Sequence, residues 1–339
     1  MIMSKKILVT GSAGFIGSSF VKLMLNRGDY EVVSFDALTY AGNLENLESL
    51  KNNAKHTFVK GNIESKTDLE KVFSDHSFDG VINFAAESHV DRSIMDSSPF
   101  VTTNVFGTLN LLDFSKKYKV ERYLQVSTDE VYGSLGTTGK FTEKTNLKPN
   151  SPYSASKTAA DNFVRSYYKT FDFPALITRC SNNYGPYQFP EKLIPLMIMN
   201  ALSDKKLPVY GDGMNVRDWI YVDDHCQAIF EVYEKGRIGH VYNIGAENEM
   251  PNIEIVKKIL NYVNKPESLI KYVKDRPGHD KRYAMDNTKI TSELGWTPNY
   301  DFDKGLKLTI DWYLNNMDWV ERVVSGEYRD YYKSNYSYR

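Results

Sequence analysis

Cysteine is almost missing from this chain: Cys180 and Cys226 are the two among 339 residues. They are too few for a disulfide framework and lack metal-ligand spacing, so a reducing cytoplasm is the expected setting. Histidine is scarce as well, and His89 and His279 have no companion at ligand spacing, so no metal is expected. Neither charge is in surplus. Lys plus Arg number 42 against 43 for Asp plus Glu, a net charge of −1. That balance argues against nucleic acid or an anionic membrane as partner, although a local basic patch can still hold a phosphate. No apolar run approaches the ~18 residues of a membrane span. After Lys5-Lys6 the run Ile7-Leu8-Val9 breaks at Thr10-Gly11, short of the ~7–15 residues of a secretory signal. What remains is an ordinary globular composition, 41% apolar and 25% charged, long enough for roughly two domains.

Short β-branched runs alternate with longer helical patterns through the first half. Strands are expected at 6–10, 31–35, 57–60, 80–84, 123–127 and 175–178. Several are nearly continuous apolar runs, as strands covered on both faces require. Between them lie patterns such as 15–27, with Gly28 as a stop. This order predicts an α/β fold: a Rossmann-type doubly wound parallel sheet with a smaller, mostly C-terminal α/β substrate-binding domain. The cofactor domain is placed at 1–181 and 217–246, and the substrate domain at 182–216 and 247–325. A Tyr-rich tail follows at 326–339. Val241 to Gly245 is expected to return to the sheet as a further strand.

Gly11, Gly14 and Gly17 follow the first strand and open the first helix. Without Cβ atoms, such a turn lets backbone N–H groups and a helix N-terminus face a pyrophosphate. Asp36 ends the second strand 19 residues after Gly17. A carboxylate there accepts from both ribose hydroxyls and repels a 2′-phosphate, which favours NAD over NADP. Asn62 and Ile63 are expected beside the adenine. Ala85 and Ala86 are small enough to let the chain run close to the cofactor. Thr103 and Asn104 are placed to brace the sheet.

Ser151 can cap a helix with Pro152 at its first position, which sets Tyr153 and Lys157 one turn apart on one face. A lysine ammonium there, with a positive nicotinamide ring, favours the tyrosine phenolate and lowers its proton affinity. Tyr153 can then accept a hydroxyl proton while the carbon's hydride goes to NAD. Thr128-Asp129-Glu130 ends the fifth strand, where substrates bind in this architecture. Adjacent carboxyls can serve as acid and base if burial and mutual repulsion raise Asp129 while Glu130 stays ionised. Successive strand residues point to opposite faces, so both reach one pocket only if the strand has turned; Val131-Tyr132-Gly133 supplies such a turn. Arg217, Lys192, Arg276 and the amides of Asn182 and Asn183 suit a diphosphate. Asp91 and Arg92 can pair with each other.

The glycine triplet, Asp36 and Tyr153-x-x-x-Lys157 together resemble the extended short-chain dehydrogenase/reductase family. More narrowly, the runs 85–93 (AAESHVDRS), 127–133 (STDEVYG) and 181–187 (SNNYGPY) closely resemble its dTDP-glucose 4,6-dehydratases. Arg217-Asp218-Trp219 and 275–280 (DRPGHD) extend the likeness to about residue 325. Asn62 departs from the Asp usual there, which weakens one adenine contact. The resemblance implies an NAD-dependent lyase acting on dTDP-glucose by C4 oxidation, loss of water across C5 and C6, and hydride return to C6. The product is a 4-keto-6-deoxy sugar, a precursor of deoxysugars such as rhamnose.

The resemblance also assigns residues. Thr128 meets the C4 hydroxyl, Asp129 is the general acid, Glu130 the general base, and Tyr153 with Lys157 handles oxidation. Phe15, Ile16, Ala37, Leu38, Thr39, Phe84, Ser88, Thr103 and Asn183 join the cofactor contacts. Substrate contacts are Ser88, Asn182, Lys192, Leu193, Pro208, Val209, Tyr210, Arg217, Asn252, Asp275, Arg276 and His279. A homodimer through helices of the first domain is the family expectation. A nucleotide-hexose 4-epimerase shares the fold, NAD and the Tyr/Lys pair but has no use for Asp129 and Glu130. GDP-mannose 4,6-dehydration usually favours NADP, which Asp36 opposes. A non-catalytic NAD sensor would have no reason to keep these four side chains together.

Overall fold

The computed structural model describes residues 4–324; the tail expected at 326–339 lies outside the described residues. Six strands alternate with helices in the first part: β1 (Lys5–Thr10), β2 (Tyr30–Asp36), β3 (His56–Lys60), β4 (Gly80–Asn83), β5 (Arg122–Thr128) and β6 (Ala175–Cys180). The helices are α1 (Phe15–Arg27), α2 (Lys66–Asp75), α3 (Val90–Met95), α4 (Ser98–Phe100), α5 (Thr108–Lys117) and α6 (Pro152–Phe171). A π-helical stretch, Val101–Gly107, joins α4 to α5. Next come β7 (Asn182–Tyr184), α7 (Leu193–Leu202), β8 (Leu207–Tyr210), β9 (Val216–Tyr221), α8 (Val222–Lys235) and β10 (Val241–Ile244). The described chain closes with β11 (Glu249–Pro251), α9 (Asn252–Tyr262), β12 (Ile270–Val273), α10 (Thr288–Leu294), α11 (Phe302–Asn315) and α12 (Met317–Val323).

The main sheet is wholly parallel, in the order β10-β6-β5-β4-β1-β2-β3. This is the doubly wound arrangement, with β10 added at one edge as its apolar pattern implied. The order reverses between β1 and β4, so a crevice opens at their carboxyl ends. Inside the sheet a polar chain pins the register: Thr10 Oγ1 donates to Asn83 Oδ1 (2.5 Å), and Asn83 Nδ2 donates to Gln125 Oε1 (2.9 Å). A slip of one residue would leave these buried groups unpaired.

One face of the sheet packs Phe20, Met24, Ile229 and Tyr233 from α1 and α8; the other packs Leu69, Leu111 and Val164 from α2, α5 and α6. Each such fully buried apolar side chain contributes about 1.5–3 kcal/mol. A further core joins Met197, Ile255, Ile259, Leu306 and Ile310 of α7, α9 and α11. It lies with the small sheets β11-β9-β7 and β12-β8. Strand β9 pairs with β7 and β11 in a small sheet beside the main one. Helix α10 packs on α8 and β10.

Local signals explain the helix that matters most for the site. Ser151 accepts from Ser154 N–H and Ser154 Oγ accepts from Ser151 N–H, a reciprocal cap with Pro152 at the first position. The middle of α6 is tied to the sheet by a buried ion pair, Arg179 Nε to Asp161 Oδ2 at 2.8 Å. Arg179 Nη1 also donates to the Tyr132 hydroxyl (3.0 Å), which donates to Asn243 of β10 (2.7 Å). Asp161→Ala would leave the guanidinium buried without its partner, and we expect a loss of about 3–5 kcal/mol, read from urea unfolding.

Candidate active site

A groove of about 330 Å³ runs across the carboxyl ends of β1, β2, β4, β5 and β6. Its floor begins with the glycine turn. Gly11 has φ +64°, and a Cβ on it would sit 2.6 Å from Ala85 N; one on Gly17 would sit 2.1 Å from Gly11 O. Gly14 caps α1 with no side-chain bond, so the first-turn N–H groups have no acceptor from the cap. Asp36 closes this end. Its Oδ2 accepts from Ala13 N–H (2.9 Å) and its Oδ1 from Leu38 N–H (2.8 Å). Burial raises the Asp36 carboxyl and these two bonds oppose the rise.

The other end is built on the finish of β5. Thr128 is the last extended residue, and a 3₁₀ turn, Asp129–Tyr132, follows at once, closed by Gly133 at φ +83°. The turn abolishes the alternation of the strand, so Thr128, Asp129 and Glu130 all line the same groove. Tyr153 and Lys157 reach it from the first turns of α6. Thr128 Oγ1 donates to Asp129 Oδ1 (3.3 Å) and accepts from Glu130 N–H (3.3 Å). Lys157 Nζ donates to the Val126 carbonyl (2.8 Å). Asn104, from the π-helical stretch, braces α6 through Ser156 Oγ (2.8 Å) and also bonds the backbone of Glu87.

Burial dominates the proton affinities here. It raises Asp129 well above the usual carboxylate range, and the Glu130 charge adds to the rise. Burial raises Glu130 too, but Arg276, Arg217 and Lys192 oppose it, in that order. Burial, then the Glu130 charge, pushes the Tyr153 phenol well up, and Lys157 Nζ has one donor on the Val126 carbonyl. Lys157 itself is lowered by burial, with Asp161 opposing.

Buried polar atoms without a partner gather at this groove: Ser127 Oγ, Asp129 Oδ2, Ser181 Oγ, Asn182 Oδ1, Asn183 Oδ1 and Gln188 Oε1. Buried polar atoms are ordinarily satisfied, so a cluster of orphans marks where a polar ligand lies. The glycine cradle, the uncapped helix end, Asp36 and these atoms fit a dinucleotide. The groove brings together Gly11, Gly14, Phe15, Ile16, Gly17, Asp36, Ala37, Thr39, Asn62, Ile63, Phe84, Ala85, Ala86, Ser88, Thr103, Asn182, Asn183 and Lys192. Leu38 is the exception among the expected cofactor contacts. It has φ +54° and packs against the sheet core. Sequence reading missed Ser127, Cys180, Ser181, Gln188 and Glu191, which also line the groove. Ser127 and Ser181 flank residues that carried the motifs, whereas Gln188 stands in an aperiodic loop.

The remaining expected substrate contacts stand outside this groove. Tyr210, Asp275, Arg276 and His279 form a cluster of their own: Tyr210 and His279 rings meet at 6.0 Å, and His279 Nδ1 lies 2.6 Å from Asp275. Arg217 is buried, with one N–H of each Nη group donated to the carbonyls of Val216 and Asp280 (2.8 Å each). Val209 is in the core between β8 and α9, Leu193 packs on the same core, and Pro208 lies in β8 beside β12. Asn252 opens α9 with a buried, unpartnered Oδ1. The pairing of Asp91 with Arg92 is also corrected: Asp91 meets Tyr210 and Arg276, and Arg92 meets Glu191. Neighbours along a helix do not face each other. Among the described residues, no helix is long and apolar enough to cross a membrane.

Comparison with known proteins agrees with this geometry. The family model described as GDP-mannose 4,6 dehydratase matches residues 8–309. A dTDP-glucose 4,6-dehydratase from Xanthomonas campestris pv. campestris is 54% identical, covering 95% of this chain and 97% of the relative. A crystal structure of that enzyme from Bacillus anthracis in complex with NAD superposes with TM-score 0.89 at 52% identity, covering 94% of this chain and 100% of that one. The Streptomyces venezuelae enzyme, solved with NAD and a second ligand bound, superposes with TM-score 0.91 at 46% identity, covering 94% and 99%. Gly17→Ala would drive a methyl group into the Gly11 carbonyl. We expect NAD affinity to fall at least tenfold, measured by fluorescence titration.

Proposed function

The chain belongs to the family of nucleotide-sugar 4,6-dehydratases, and from that premise we propose that it converts dTDP-glucose to dTDP-4-keto-6-deoxy-glucose and water with NAD. The observation that carries the reading is two carboxyls in one groove with a hydroxyl and a Tyr/Lys pair, beside a dinucleotide cradle. An epimerase, which never eliminates water, has no need of the two carboxyls. NAD held in this groove would supply a hydride acceptor at C4, a hydride donor at C6 and a positive charge favouring the Tyr153 phenolate.

The protein's own groups do the rest. Thr128 and Tyr153 hold the C4 hydroxyl, and Tyr153 takes its proton. A C4 ketone acidifies the hydrogen on C5, which Glu130 removes and returns to C5 as hydride reaches C6. Hydroxide is a poor leaving group, so Asp129 protonates the departing C6 oxygen. An acid for that step must hold its proton near neutrality, and burial beside Glu130 gives Asp129 that property. The cations around Glu130 favour its charged form, as a base requires. Lys192, Asn182, Arg276 and the cluster about Tyr210 and His279 are assigned to the nucleotide-sugar. The cofactor is assigned to 1–181 and 217–246 and the substrate to 182–216 and 247–325. A cytoplasmic location suits two buried free thiols, and the product class supplies deoxysugars such as rhamnose.

A homodimer is also proposed. Ile94, Met95, Val101 and Phe106 are exposed on α3 and the π-helical stretch, an apolar face that a second copy would cover. A monomer by light scattering at micromolar concentration would overturn it. The function is tested by incubation with dTDP-glucose and with UDP-glucose. Loss of one water from the first alone, by product mass, supports the reading, with NAD retained and not consumed. An unchanged mass, or stoichiometric NADH release, defeats it. Asp129→Asn and Glu130→Gln are each expected to slow water loss by about 10²–10⁴-fold while C4 oxidation changes far less, read from single-turnover absorbance of reduced nicotinamide. Equal slowing of both steps would contradict the assigned roles.

A further inference from the structure

Tyr132 ends the turn that presents Asp129 and Glu130, yet it does not line the groove and has no role in the reading above. Three of the bonds that close this turn are long. Glu130 N–H to Thr128 Oγ1, Thr128 Oγ1 to Asp129 Oδ1 and Gly133 N–H to the Glu130 carbonyl each measure 3.3 Å. Shorter bonds reach the turn from outside. Lys148 N–H donates to the Val131 carbonyl (3.0 Å). The Tyr132 hydroxyl donates to Asn243 Oδ1 (2.7 Å) and accepts from Arg179 Nη1 (3.0 Å).

Arg179 carries the connection further. It lies in β6, as register partner of Ser127 on β5 and of Asn243 on β10, and its Nε donates to Asp161 Oδ2 of α6 (2.8 Å). Tyr153, Lys157 and Asp161 are spaced four apart, so they share one face of that helix. The face meets the sheet through Lys157 Nζ on the Val126 carbonyl and through Asp161 on Arg179. One guanidinium therefore bridges the helix that bears the Tyr/Lys pair and the turn that bears the two carboxyls. Tyr132, Asp161, Arg179 and Asn243 are all buried, where such bonds are stronger than in water. The Tyr132 ring also stacks on Phe141 (4.9 Å, 23°) and lies under the Arg179 guanidinium (4.9 Å). Those two contacts need the ring and not the hydroxyl.

We propose that Tyr132 is a positioning residue: its hydroxyl, through Arg179, fixes the distance between Asp129–Glu130 and Tyr153–Lys157, so that one bound hexose meets both. The inference rests on the dehydration reading and names the part that aligns its two steps. C4 must stay at Tyr153 while C5 and C6 meet Glu130 and Asp129, and a displacement of about 1 Å between reacting groups costs about 10²-fold in rate. Tyr132→Phe keeps the ring contacts and removes the hydroxyl. Helix α6 keeps its cap and its Lys157 and Asp161 bonds, so we expect C4 oxidation within about twofold of wild type and water loss slowed about 10–100-fold. Reduced nicotinamide then forms at the normal rate and accumulates in a single turnover, read by its absorbance, while KM for dTDP-glucose stays within about twofold. Arg179→Lys keeps a cation beside Asp161 but lacks the fork that spans both partners. It gives the same accumulation, and joined to Tyr132→Phe it adds none, because the two act as one unit. Equal slowing of both steps, slowing of neither, or additive effects in the double variant overturns the proposal. Should Tyr132→Phe not fold by circular dichroism, Arg179→Lys is judged alone by the same two rates. Failure of both to fold assigns the hydroxyl to stability and overturns the proposal too. Wild-type protein that fails to dehydrate dTDP-glucose defeats the underlying reading instead, and is scored first.

Discussion

Two adjacent carboxyls cannot share a pocket while they belong to a regular strand, because the pleat sends them to opposite faces. The site depends on that constraint being broken at one place. Strand β5 stays extended through Thr128 and then tightens into a 3₁₀ turn, with Gly133 supplying the positive φ that ends it. Thr128 helps by accepting from Glu130 N–H, so the hydroxyl expected at the substrate also caps the turn that presents the carboxyls. Everything else in the groove is placed relative to this turn: α6 by its capped start and the Asp161–Arg179 pair, and the glycine cradle by the register of β1 on β4.

Burial is the second determinant, and it acts on every group alike. It pushes both carboxyls and the Tyr153 phenol toward the protonated form and Lys157 toward the neutral one. Neighbours then separate groups that burial treats equally. Glu130 and then Asp218 push Asp129 further up with Arg217 opposing, whereas Arg276, Arg217 and Lys192 pull Glu130 down with Asp280 opposing. The two carboxyls of one dipeptide thus meet different charges, as the proposed acid and base roles require. Asp91, contributed by the first turn of α3, lies 3.8 Å from Arg276.

The parallel sheet, the glycine turn, the Asp36 terminus and the Ser151–Lys157 start of α6 were legible because each depends on neighbours within a few residues. Periodicity shows a strand, a Ser-Pro pair shows a helix start, and three glycines at fixed spacing show a close approach of backbone. The course of the substrate side was legible only in part. Strand β9 leaves the main sheet to pair with β7 and β11, and α10 returns to α8. Such choices depend on which edges are open after the chain has collapsed. Asp91 and Arg92 looked like partners because they are adjacent, but a helix turns them apart.

What the chain alone determines is which chemistry is available: a glycine cradle, an acid at the end of the second strand, a tyrosine with a lysine one turn on, and an Asp-Glu pair at a strand end. These are local patterns, and local patterns survive in one dimension. What only the folded molecule decides is the protonation each group holds and which charge faces which. Leu38 packs against the sheet core, Arg217 donates to two backbone carbonyls, Lys157 Nζ donates to the Val126 carbonyl, and Glu130 gains its cations from three separate elements. Desolvation and Coulomb interaction are functions of distance and depth, which sequence spacing does not encode.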